Sequence, residues 1–267
     1  MNLTLRKSLA LFKVWFQDGL SYRAAGVIWI LTDTVPAMIM PLVFISAMPE
    51  GGSIRGFTAS EFVLYYLTMI LVINFVVSHL MWELSMEIKE GIFTINLLRP
   101  VSYFQVCFIR NISWRVLRIA LFLPMFLLLL VMYRSYLASA HAFLGWEFWA
   151  AILLGHMVSF TFVYMMSMLA LFVEEAHAIF ELYYFPMLFL SGQMFPIHLL
   201  PDWAATLAKA MPFYYTSGLP VEIVIGRIPP EAAHPLILVQ LVWIGVHLML
   251  AKVLWRWGLR HYTAVGM

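Results

Sequence analysis

The residues that could do chemistry in this chain sit inside long apolar stretches, so each has to be explained against its surroundings. Asp33 lies nine residues into the first such run. A charge at membrane depth costs at least a few kcal/mol unless protein or water compensates it, so Asp33 must face protein or a wet cavity. It either lines a path for solute or packs as a hydrogen-bonded residue beside Thr32 and Thr34. Ser191-Gly192 falls late in the fifth such run and His247 inside the sixth, which raises the alternative of an intramembrane serine hydrolase using that pair. Against it, Phe189 stands where a Gly-x-Ser turn needs glycine, and no oxyanion donors are evident.

Other chemistries are missing. A phosphate-cradling GxxxxGK[ST] loop has its nearest match from Gly51 to Gly56, which is followed by Phe57 and lacks the lysine. The eight histidines are scattered, and no two share the i, i+4 spacing of a helical zinc site. The single cysteine, Cys107, excludes an intrachain disulfide framework and reads as a small buried hydrophobe. His79, Glu83 and Glu87 recur at i, i+4 and Glu90-Gly91 follow, so they form either a solvated helix end or an acidic docking ridge beside a basic turn.

The elements that must position these residues are set by composition. The 267 residues are 63% hydrophobic and 11% charged, with mean hydropathy +0.89, whereas soluble domains are roughly 45–50% apolar and about 25% charged. A crossing helix takes ~20 mostly apolar residues, because lipid offers no partner for unpaired backbone groups. Runs at 24–48, 62–82, 115–134, 147–173, 178–197 and 235–255 predict an all-α polytopic membrane protein of six transmembrane helices in one domain, 1–267. Arg115 and Arg118 open the third run, where they can snorkel to the interface. Lys and Arg concentrate on the N-terminus, the second connection and the C-terminus, a positive-inside bias that sets both termini in the cytoplasm.

The connections carry structure of their own. Leu5, Leu9, Phe12 and Phe16 form an apolar stripe, with Arg6, Lys7 and Lys13 off it and Trp15 as an interfacial anchor. Residues 1–22 therefore predict an amphipathic helix lying in the headgroup plane. The 83–114 stretch continues the second helix into water, breaks near Gly91 and turns at Pro100. The 196–234 stretch mixes prolines with Trp203, Phe213, Tyr214 and Tyr215, which suits short interfacial or re-entrant pieces. Glu174, Glu175 and Glu181 flank a short cytoplasmic turn, with Glu181 one turn deeper and able to pair with an Arg of the second connection.

The order of these parts resembles the permease subunits of ABC-2 type transporters, in particular short six-helix permeases that work with a separate ATPase. The resemblance rests on the N-terminal elbow, Glu90-Gly91 followed by Leu97-Leu98-Arg99-Pro100, Ser191-Gly192 with Pro196, Leu200-Pro201 and Trp203, then Pro212-Phe213-Tyr214, and the tail from Gly258 to Gly266. It implies a non-catalytic chain in a bacterial inner membrane, with ATP and Mg bound by a dimer of partner ATPases and none in this chain. It also implies a second permease subunit, identical or different, and no nucleic acid. Glu90, Gly91, Arg99 and Pro100 would form a cytoplasmic coupling helix, with Arg99 a charge contact and Pro100 the turn. Ser191, Gly192, Pro196, Pro201, Trp203 and Pro212 would belong to a re-entrant outer gate. The substrate expected is a hydrophobic or amphiphilic molecule, exported, because charged positions within the spans are few.

Overall fold

The computed structural model describes residues 3–49, 52–173 and 177–263. Glu174 and Glu175, and Ala264, Val265 and Gly266 of the tail, lie outside the described residues. The elements in chain order are α1 (Leu3–Ser21), α2 (Arg23–Ser46), α3 (Ala59–Val76), α4 (Met81–Lys89), α5 (Ile92–Leu98), α6 (Tyr103–Met132) and α7 (Arg134–Leu137). Then come α8 (Trp146–Ser167) with a 3-10 turn to Leu171, α9 (His177–Leu190), α10 (Asp202–Ala210), α11 (Leu219–Val224) and α12 (Pro230–His261). Among the described residues the only β geometry is an isolated bridge between Ile54 and Phe57.

Helix boundaries follow local chemistry. Thr58 with Glu61, and Ser102 with Gln105, form capping boxes that start α3 and α6. Pro230 opens α12 at a position whose N–H would have no helical partner. Gly91 separates α4 from α5 with φ +73°, a left-handed conformation that glycine adopts without a Cβ penalty.

Among the described residues, five helical stretches are long and apolar enough to cross a membrane: Arg23–Ser46, Ala59–Lys89, Tyr103–Met132, Trp146–Leu171 and Pro230–His261. The fifth expected span corresponds to α9, whose 14 residues reach roughly 21 Å at 1.5 Å per residue, short of the ~30 Å hydrocarbon core. Two expectations need correction. The third crossing helix starts at Tyr103, twelve residues before the expected Arg115, because the polar segment before Arg115 is already helical and packed. The second is not continuous: Val77 is extended, and the chain from Val77 to Leu80 leaves the helix before α4 resumes. Two large clusters hold the bundle, one around Tyr65, Tyr66, Phe122 and Tyr214 and the other around Phe93, Tyr103, Phe160 and Phe180.

Candidate functional site

Three polar groupings stand out in this apolar chain, and the first is built around the turn between α4 and α5. Glu87 is buried and receives three donors: Arg110 at 2.7 Å, Asn96 at 3.0 Å and the Tyr103 hydroxyl at 2.9 Å. Arg110 also contacts Glu83 at 2.5 Å, and its guanidinium lies 4.9 Å from the Trp15 ring on α1. The turn and its two helices are thereby fastened to α6 and to the amphipathic α1. Lys7 adds a contact to the Pro100 carbonyl at 3.4 Å. Of the two readings, a solvated helix end or an acidic docking ridge, neither describes Glu87, which faces inward because Arg110 sits on a helix that begins earlier than its apolar run suggests. His79 is not on the face of Glu83 and Glu87, since it falls in the break before α4.

What this arrangement leaves exposed is as informative. On α5, Phe93 and Asn96 turn inward, with Phe93 edge-on to Tyr103, Trp255 and Tyr262 at 5.1–5.9 Å. Ile92, Ile95 and Leu98 turn outward, with Ile95 57% and Leu98 81% exposed. Of the residues anticipated here, Gly91 makes the turn, Glu90 ends α4, Arg99 ends α5 in extended backbone, and Pro100 accepts from Lys7. The sequence reading missed Arg110, Asn96 and the outward apolar strip. The i, i+3 spacing of Ile92, Ile95 and Leu98 was the signal available.

A second grouping lies at the break in α3. Arg115 is buried and donates to the carbonyls of Asn74, at 2.7 Å, and Val77. His156 of α8 donates from Nδ1 to the Val76 carbonyl at 3.1 Å, and the Ser78 N–H donates to Ser159 at 3.0 Å. Non-helical backbone at membrane depth is tolerated only where protein satisfies it, and side chains of α6 and α8 do so here. Arg118 donates to the Asn74 side chain at 2.9 Å and pairs with Asp33. Both arginines thus turn into the bundle instead of snorkelling, because the opened carbonyls and Asp33 offer them partners. Asp33 is tied to α6 by this ion pair and keeps partial exposure.

The third grouping is the segment between α9 and α12. Gly192 has φ +85°, and a Cβ there would stand 2.6 Å from the Tyr65 hydroxyl, which donates to the Gly192 carbonyl at 2.7 Å. The Tyr66 hydroxyl donates to Met194, and Ser217 to the Ser191 carbonyl. Pro196 and Pro201 precede the short helices at Ile197 and Asp202, Trp203 is 73% exposed, and the Pro212 carbonyl accepts from the Tyr215 N–H as the chain enters a π-turn at Tyr214–Gly218. Glu222, 1% exposed, accepts from the Tyr214 hydroxyl at 2.6 Å, and its other carboxylate oxygen lies 2.9 Å from His198 Nδ1. Short interfacial or re-entrant pieces were expected in this stretch, and Glu222 as an internal anchor was not.

His247 shares a hydrogen bond with Thr161 at 3.2 Å and stacks on Trp243, and among the described residues no hydrogen bond joins it to Ser191. No group of three or more His, Cys, Asp or Glu among the described residues could hold a metal ion. Comparison with known proteins gives one result. No curated protein and no solved structure matches the chain. The model of a family described as ABC-2 family transporter protein matches residues 35–266, taking in the α4–α5 turn and the α9–α12 segment and leaving α1 and Asp33 outside. With nearly the whole chain matched, this multi-pass helical membrane protein belongs to the ABC-2 family transporter proteins.

Proposed function

We propose that this chain is the permease subunit of an ATP-driven exporter, moving a hydrophobic or amphiphilic substrate and taking its energy from separate ATPase subunits that dock on the α4–α5 turn. The observation that carries this reading is the pairing of an internally fastened turn with an exposed apolar strip, Ile92, Ile95 and Leu98. An apolar strip on a polar connection is suited to a protein partner. Fastening by Glu87 and Arg110 means that a push on the strip moves α6 and α1 with it. ATP and Mg are bound by the partner, whose binding energy shifts the permease between inward and outward states. Arg99 flanks the docking strip as a charge contact, Glu90 and Gly91 set its angle, and Pro100 ends it. Asp33, partly exposed beside Arg118, lines the substrate path. The Ser191–Pro212 segment, anchored through Tyr65 and Glu222, is the outer gate. A second six-helix permease, the same or different, completes the path, with both termini in the cytoplasm of a bacterial inner membrane.

The test is affinity purification of the tagged chain from its own cells. An ATPase subunit is expected to co-elute, and Leu98→Glu is expected to weaken its recruitment about thirtyfold, the ~2 kcal/mol of a central interface residue. Because Leu98 is exposed, the variant should melt with the wild type. Retention of the ATPase by Leu98→Glu, or its absence from wild-type preparations, would sink the proposal.

A further inference from the structure

A cleft of about 430 Å³ opens beside α5, and two of its lining residues, Asn96 and Tyr103, belong to the first grouping. Its walls come from Phe104 at the start of α6 and from Leu248, Ala251 and Trp255 on α12, and Lys252 supplies its one charged side chain. The neighbouring α12 residues Met249, Leu250 and Val253 are exposed apolar side chains, so the cleft opens on a surface suited to acyl chains. In the topology proposed above, on which this inference rests, the end of α12 that bears Lys252, Arg256 and Arg260 lies at the cytoplasmic leaflet. An apolar slot with a basic residue at that depth is matched to a lipid that has a negative headgroup.

Asn96 and Tyr103 also line the cleft. Asn96 and Tyr103 both donate to the buried Glu87 carboxylate. Volume favours a small amphiphile over a protein segment, since ligand pockets run to ~300–1,000 Å³. We infer that the cleft is a binding site for an anionic glycerophospholipid of the cytoplasmic leaflet. Its phosphate meets Lys252 and its chain lies against Leu248, Ala251 and Trp255. Because Asn96 and Tyr103 also hold Glu87, an occupied cleft braces α5 against α6 at the base of the docking strip.

Phosphatidylglycerol titrated onto the purified full-length chain, read by native mass spectrometry, tests this. Lys252→Gln is expected to weaken binding about fivefold, the effect of one basic residue at an anionic surface. Leu248→Trp, which fills the cleft, should abolish the bound lipid, and Arg256→Gln, one turn further along α12 and outside the lining, should leave it. Equal binding by wild type, Lys252→Gln and Leu248→Trp overturns the site. So does an equal loss in Arg256→Gln, which marks general attraction to a basic surface, or equal binding of phosphatidylcholine. Amide exchange over 92–98 should slow when phosphatidylglycerol is added; unchanged exchange refutes the bracing. Lipid binding without ATPase recruitment would sink the exporter reading and leave the site standing.

Discussion

Replacing Arg110 by methionine is expected to destabilise the chain by about 3–5 kcal/mol, because it leaves the buried Glu87 carboxylate without its cation. The arginine meets Glu87 at 2.7 Å and Glu83 at 2.5 Å, and its flat face rests on Trp15. Loss of packing adds to loss of charge, though methionine restores part of the volume. The sign is set by which charge remains: removing one member of a buried pair costs far more than removing both. Glu87→Gln and Glu83→Gln added to Arg110→Met should therefore recover most of the loss. Thermal unfolding in detergent reads the effect. A single variant as stable as wild type would show that the carboxylates find water once the arginine is gone, and the α4–α5 turn would not be rigidly fastened to α6.

Arg115→Leu is the second large effect. Its guanidinium answers the carbonyls of Asn74 and Val77, which the break in α3 frees from helical pairing. Each buried acceptor left unsatisfied costs about 1–3 kcal/mol, so the variant should lose roughly 2–6 kcal/mol in total. Arg115→Lys should fall between, since a compact ammonium lacks the fork that spans two acceptors. Hydrogen exchange resolves cause from consequence: the amides of Val77 and Ser78, bonded to Ile73 and Ser159, should lose protection before those of α3. Global loss of protection with no local precedence would mean that Arg115 acts by packing instead of by holding the break open.

These two arginines also show where the sequence could be read and where it could not. Apolar run length located five crossing helices among the described residues, because it is a property of one segment at a time. The amphipathic stripe of Leu5, Leu9, Phe12 and Phe16 appears as α1, and Gly91 marks the turn before α5. Whether an arginine near the end of a run snorkels or turns inward depends on partners elsewhere. Asn74 and Asp33 lie 41 and 85 residues from the arginines that bond them, and no periodicity within α6 encodes that. The break in α3 carries no glycine or proline. Its signal is distributed over Ser78, Arg115, His156 and Ser159 on three elements, and becomes legible only once those are neighbours. Glu222 was passed over for the same reason: its partners, Tyr214 and His198, give it meaning only in the folded gate.

In the proposed exporter, energy enters this chain at the outward strip of α5. A photo-reactive amino acid placed at Leu98 in living cells tests it most directly, with Leu250 on the apolar face of α12 as the comparison site. The account predicts that Leu98 crosslinks to a Walker-motif ATPase subunit and that Leu250 does not. Crosslinks from Leu98 to lipid alone, with no ATPase adduct, would contradict it.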